Sequence, residues 1–152
     1  MTPHEVATRS AQRMWEDDNA SQSLGMELLD VAPGRATMRM TVRADMVNGH
    51  GIGHGGFTFT LADSAFAFAC NSYNRTTVAA GADIRFRRPT RLGDRLVATA
   101  TERSREGRDG VYDVLVTVGD EVVAVFTGRS KEIGGVLFGV GEPGEVSDGS
   151  SR

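Results

Sequence analysis

Cysteine is nearly missing: Cys70 is the single one in 152 residues. No disulfide can form within the chain, which suits a reducing compartment. No apolar run approaches the roughly 18 residues of a membrane span, and the first residues are polar and charged, so neither insertion nor export is expected. Excess charge is also lacking. Lys and Arg number 17 against 20 Asp and Glu, a net charge of −3 with an isoelectric point near 5.6, so nothing draws the chain as a whole to nucleic acid or to an anionic membrane. There is no internal repeat, no Walker sequence and no Gly-x-Gly-x-x-Gly spacing after a strand. These absences predict a soluble, cytoplasmic, single-domain protein, long enough to bury about two thirds of its unfolded surface.

What is present is concentrated in residues 48–73. The stretch opens with Gly49, Gly51, Gly53, Gly55 and Gly56 around His50 and His54, then runs without a breaker through the most apolar segment of the sequence. Phe57, Leu61, Ala65 and Phe68 follow helical spacing, while Phe59, Ala62, Phe66 and Ala69 cover the other sides. A helix that is apolar nearly all round is expected to be buried. One charge interrupts it, Asp63, and a carboxylate there is costly to desolvate unless it is hydrogen-bonded or faces a cleft.

The remaining chain supplies strands. Thr2, Pro3 and Glu5 form a capping-box start for a first helix over residues 1–20, with Ala7, Ala11, Met14 and Trp15 as its stripe. A strand over residues 23–31, irregular at Leu28 and Leu29, leads to Pro33-Gly34, a type II turn. Ala36, Met38, Met40 and Val42 then alternate with polar residues, the period of a half-buried strand. Beyond the apolar helix, a strand over residues 77–88 carries Val78, Ala80, Ala82, Ile84 and Phe86 on one face and stops at Pro89. Leu96, Ala98 and Ala100 mark the next strand, and a loop over residues 106–110 follows it. Two more strands flank Gly119-Asp120, a type II′ hairpin signal. Residues 139–152 are Gly, Ser, Glu and Asp with almost nothing apolar, and a disordered tail is expected there. The fold class is α+β: one antiparallel sheet of about six strands can bury a single apolar helix only by curling around it, the hotdog fold, over residues 21–138.

Asn48-Gly49-His50, His54-Gly55-Gly56, Leu61-Ala62-Asp63, Arg85-Phe86-Arg87-Arg88-Pro89 and Gly93-Asp94 together resemble the hotdog-fold acyl-CoA thioesterases of the phenylacetic acid degradation family, over residues 24–135 or so. The resemblance implies hydrolysis of acyl-CoA, phenylacetyl-CoA or a related aryl or medium-sized acyl-CoA, with Asp63 as nucleophile or general base and the Gly55 amide polarising the thioester carbonyl. It also implies sites at a dimer interface, in a homodimer or a homotetramer of paired dimers. Independently of the family, eight residues at about 1.5 Å rise put roughly 12 Å between Gly55 and Asp63 along a helix. If the two act on one carbonyl, they come from different chains.

The chemistry expected of the other positions follows. The Gly55 and Gly56 amides, with the helix dipole, suit a developing oxyanion. Asn48 is a candidate to hold the attacking water or the thioester, and His54 to donate to the carbonyl or brace the loop. Phe57 is a candidate for the acyl pocket. Arg88 and Arg91, within a cluster that includes Arg85, Arg87, Arg95, Arg129 and Lys131, are candidates for the phosphates of coenzyme A. Thr76 and Thr77 are poor matches to the hydroxyl that some related thioesterases place after the helix. No metal and no separate cofactor are expected: His50 and His54 have no third ligand nearby. A non-catalytic acyl-CoA-binding protein of the same fold is the main alternative, and a hotdog hydratase a weaker one.

Overall fold

The computed structural model describes residues 1–139; the expected tail falls, from residue 140 onward, outside the described residues. The chain begins with α1 (Pro3–Asp17), whose capping box is formed as the sequence predicts: Thr2 Oγ1 accepts the Glu5 amide and Glu5 reaches back to the Thr2 amide. Asp18 both ends α1 and caps a short second helix, α2 (Asn19–Ser23), by accepting the Ser21 amide. That helix takes the place of the start expected for the first strand, so β1 is Glu27–Ala32.

β2 (Arg35–Thr41) pairs with β1 through the Pro33-Gly34 turn, where Gly34 adopts φ +70°, the value the third position of a type II turn requires. The irregularity expected at Leu28 and Leu29 is a register shift between Leu28 and Asp30. The long helix, α3, is Gly55–Cys70. It is followed by β3 (Thr77–Phe86), β4 (Arg95–Glu106), β5 (Asp109–Val118) and β6 (Glu121–Glu132). The expected loop over residues 106–110 is shorter than that: Glu106 pairs with Asp109 around Gly107-Arg108, with Gly107 at φ +59°.

All six strands form one antiparallel sheet in the order β1-β2-β4-β5-β6-β3. The hotdog architecture expected from the sequence is present. β3 does not pair with β4, its successor in the chain, but with β6, so residues 87–94 carry the chain from the sheet's edge back to its middle. That crossing passes the start of α3, where the Gly53 amide donates to the Thr90 carbonyl and Ile52 bridges to Arg91.

α3 lies across the concave face. Met38, Met40, Leu96, Ala98, Ala100, Val114, Val116, Ala124 and Phe126 alternate inward and are buried with Leu61, Ala62, Ala65, Phe66, Phe68 and Ala69. The approach is close enough that a Cβ on Gly128 would stand 2.8 Å from the Phe66 ring. α1 closes one end, burying Ala7 and Ala11 and setting Trp15 against Phe68 with ring centroids 6.2 Å apart.

Two expectations fail in an informative way. α3 is not covered on every side, because Gly56, Thr60, Asp63 and Ala67 form a stripe at i, i+4, i+7 and i+11 that its own sheet leaves partly open. β3 does not bury one continuous apolar face either. A register shift between Ala79 and Gly81 interrupts its alternation, Val78 is 43% exposed and Phe86 55% exposed.

Candidate active site

α3 begins where a histidine replaces the usual Ser, Thr, Asp or Asn cap. His54 is the N-cap, and its Nδ1 accepts the Gly56 amide at 3.0 Å, while its carbonyl accepts the Phe57 amide at 3.1 Å. Nδ1 as acceptor puts the proton of the neutral ring on Nε2. The first four amides of a helix lack partners within it. Here Gly56 and Phe57 are supplied, and the Gly55 amide has no acceptor among the described residues. The expectation that Gly55 and Gly56 both offer free amides is therefore half corrected: Gly56 is committed to the cap.

Gly55 is glycine for a steric reason as well. A Cβ there would lie 2.8 Å from Cζ of Phe86, whose ring closes over the helix start. Next to it opens a cavity of about 430 Å³ lined by Ile52, Gly53, Gly55, Thr58, Phe86, Val123 of β6 and, from the 87–94 crossing, Arg87, Arg88, Pro89 and Thr90. Thr58 and Thr90 line it unannounced by any motif. The signal available in the sequence is a pair of threonines otherwise surrounded by apolar or basic neighbours.

Asp63 is two turns further along α3, on the open stripe. Burial raises its carboxyl above the ordinary aspartate value. It makes no hydrogen bond or ion pair among the described residues. A half-buried carboxylate without a partner among the described residues is a candidate base or nucleophile, since structural carboxylates are ordinarily paired. Asp63 and Gly55 are not brought together within the chain: both belong to one helix, eight residues apart.

Asn48 sits in the glycine loop, where its Oδ1 accepts the amides of His50 and Ile52 at 2.9 and 3.2 Å. Its oxygen braces the loop, and its Nδ2 has no acceptor among the described residues. Phe57 is partly buried and stands edge-on to His54, with ring centroids 6.0 Å apart.

The arginines divide. Arg88 lines the cavity at Gly55 and is paired with Glu121 at 3.0 Å. Arg91 bridges Ile52, its amide is held by Asp94, and it is not among the residues lining that cavity. Arg87, which the sequence marks only as a member of the wider cluster, lines the cavity too and has no carboxylate partner among the described residues. Thr76 and Thr77 stand at the opposite end of α3, where Thr77 Oγ1 donates to the Arg75 carbonyl. Cys70 is buried and desolvation pushes its thiol up to about 12, the environment of a packed, unreactive thiol. Among the described residues no cluster of three His, Cys, Asp or Glu could hold a metal, and no helix is long and apolar enough to cross a membrane.

One antiparallel sheet of six strands around a single long helix is the hotdog fold. The chain belongs to the thioesterase superfamily, whose family model matches residues 50–125. It is 43% identical over 134 residues to the acyl-coenzyme A thioesterase PaaI of Escherichia coli (strain K12), covering 88% of this chain and 96% of that one. The structure of the E. coli PaaI protein from the phenylacetic acid degradation operon superposes with a TM-score of 0.87 at 41% identity, over 89% of this chain and 99% of that chain. A mutant structure of the phenylacetic acid degradation protein PaaI from Thermus thermophilus gives a TM-score of 0.72 at 39% identity, over 74% of this chain and 97% of the other.

Proposed function

We propose that the protein hydrolyses acyl-CoA thioesters to the free acid and coenzyme A, with phenylacetyl-CoA or a related aryl or medium-sized acyl-CoA as substrate. The observation that carries this reading is the pairing on one helix of a free amide, Gly55, with a half-buried, unpartnered carboxylate, Asp63. The similarity to PaaI of E. coli supports the thioester and the coenzyme A, and the name of that operon supports the acyl class.

The site takes Gly55 from one protomer and Asp63 from its partner. The distance along α3 supports this, roughly 12 Å for eight residues. So do the open stripe bearing Asp63 and the exposed β3 edge, the surfaces a second copy would cover. The Gly55 amide donates to the carbonyl oxygen, at the positive end of the helix dipole, and as negative charge builds on that oxygen the bond strengthens by about 3 to 4 kcal/mol. Asp63 either attacks the carbonyl carbon directly or takes a proton from the attacking water. Collapse of the tetrahedral intermediate breaks the C–S bond and expels the thiolate, a good leaving group. On the general-base route the free acid forms and the proton taken by Asp63 passes to the thiolate. On the nucleophilic route an acyl-aspartyl anhydride forms, which water hydrolyses to the free acid, restoring the Asp63 carboxylate and supplying the thiolate's proton. Asn48 Nδ2 is assigned to the water or the thioester, and Phe57 to the acyl group. Arg88 and Arg91, with Arg87, are assigned to the phosphates of coenzyme A.

The protein acts as a homodimer, assembling further as a tetramer of paired dimers, in the cytoplasm, and it needs no cofactor beyond the coenzyme A of its substrate. Thiol release from a panel of acyl-CoAs, followed with dithionitrobenzoate, tests the reading. Turnover of aryl-acetyl or medium-chain members that is lost in Asp63→Asn supports it. Tight acyl-CoA binding with no thiol release by the intact protein would instead indicate the non-catalytic alternative.

A further inference from the structure

The cavity of about 430 Å³ beside Gly55 holds two polar side chains with nothing to bond. Thr58 is 3% exposed and Thr90 5% exposed, and neither hydroxyl has a hydrogen-bond partner among the described residues. Buried hydroxyls are almost always satisfied, because leaving one without a partner forfeits its bonds to water. Both are held rigidly. Thr58 is one turn along α3 from Gly55, on the same face, and a helical side chain leans toward the helix N-terminus, here toward the Gly55 amide. Thr90 is fixed by its carbonyl accepting the Gly53 amide at 2.8 Å, and it sits so close to Gly53 that any Cβ there would collide with its hydroxyl. Each hydroxyl can donate one hydrogen bond and accept others.

The lining of the cavity combines three kinds of group. It includes Gly55, whose amide has no acceptor among the described residues, the two threonines, the apolar residues Ile52, Phe86, Pro89 and Val123, and the basic residues Arg87 and Arg88. A coenzyme A thioester presents a partner for each kind: a carbonyl for the amide, a flexible arm with amide bonds set between methylenes for the hydroxyls and apolar walls, and phosphates for the arginines. We propose that Thr58 and Thr90 are specificity-determining residues that hydrogen-bond the amides of the thiol arm, so that the cavity beside Gly55 is the seat of the arm. This rests on the acyl-CoA reading above and deepens it: the enzyme selects thioesters by the amides of the leaving group, not only by its phosphates. Phe86, with its ring against Gly55, is the apolar wall on which the arm's methylenes pack.

The test uses the full chain and the single variants Thr58→Val and Thr90→Val, which keep the shape and remove the hydroxyl. Three thioesters of the best-hydrolysed acyl group are compared: the coenzyme A thioester, the N-acetylcysteamine thioester, which keeps one amide, and the ethanethiol ester, which has none. The expected result is a KM for the coenzyme A thioester raised roughly five- to tenfold in each variant, the scale of one lost hydrogen bond. KM for the N-acetylcysteamine thioester should rise in at least one variant, and kcat/KM for the ethanethiol ester should stay within twofold of the wild type. Equal losses on all three esters, or variants that are more stable with unchanged KM for the coenzyme A thioester, would overturn the proposal. If the wild type releases no thiol from any acyl-CoA, the hydrolytic reading fails separately. The arm is then tested by equilibrium dialysis with a non-hydrolysable S-alkyl-CoA thioether: weaker binding by the valine variants supports the arm site, and equal binding or none contradicts it.

Discussion

His54 Nδ1 accepts the amide of Gly56 at 3.0 Å, and that bond divides the start of α3 into one committed amide and one, on Gly55, with no acceptor among the described residues. His54→Ala removes the cap and is expected to cost about 1 kcal/mol of stability, the usual scale for a lost N-cap. It also frees a second amide and lowers kcat. His54→Asn supplies another good capping side chain, so it should recover most of the stability in urea denaturation and bring kcat back to within several-fold. A stable Asn variant that remains as slow as the Ala variant would move His54 from bracing the loop to contacting the substrate.

Asp63→Asn should abolish turnover while leaving acyl-CoA binding within a few-fold of the wild type, since shape is kept and only the base or nucleophile is lost. Near wild-type kcat in this variant would remove Asp63 from the chemistry.

The same substitution has a pH signature in stability. Burial raises the folded-state pKa of Asp63 above its unfolded value, so this group's contribution is fully present below the unfolded value, about 4, and is lost as the pH rises through the folded value. Asp63→Asn is therefore expected to melt at a higher temperature than the wild type at pH 7, with the difference shrinking as the pH falls toward 4. A gain independent of pH would mean that desolvation of the carboxylate is not its source. In the wild type, the acid limb of kcat/KM should fall at a pH above the ordinary aspartate range, for the same reason.

Arg87 has no carboxylate partner among the described residues, and Arg88 is held by Glu121 at 3.0 Å. Arg87→Ala should then raise KM for an acyl-CoA roughly tenfold and leave the matching pantetheine thioester nearly unchanged, because only the full ligand carries the nucleotide phosphates. Arg88→Ala should show the same selectivity with a smaller effect. Equal losses on both substrates would take these arginines off the phosphates.

Much of this arrangement is legible in the sequence, where local chemistry and global fold agree. The Thr2 and Glu5 capping box, the alternation of Ala36, Met38 and Met40, and the glycine-first turn at Gly119 each report a local geometry that the fold keeps. The apolar run of α3 with its lone carboxylate marks the helix and the candidate base together. What escapes is set by tertiary contacts. The pairing of β3 with β6 depends on a crossing of residues 87–94 that no short-range pattern encodes. The loss of the Gly56 amide depends on one histidine rotamer. Near the end of the described chain, Asn74, at φ +59°, binds the Leu137 and Phe138 amides and buries Phe138 against the rest of the fold, a tie between residues more than sixty apart. The open stripe of α3 reads as fully buried in the sequence because apolar composition looks the same whether a residue faces its own core or another surface.

Mixing two inactive variants tests the shared site most directly. Asp63→Asn leaves Gly55 intact, and Gly55→Val drives a side chain against the Phe86 ring at the helix start. After verified subunit exchange, about half the dimers should be heterodimers, each with one doubly altered site and one site free of both changes. Activity should then recover to about a quarter of that of the same amount of wild-type protein. If Gly55 and Asp63 of one chain served the same site, every site in the mixture would carry a lesion, and no recovery of activity would contradict the shared site.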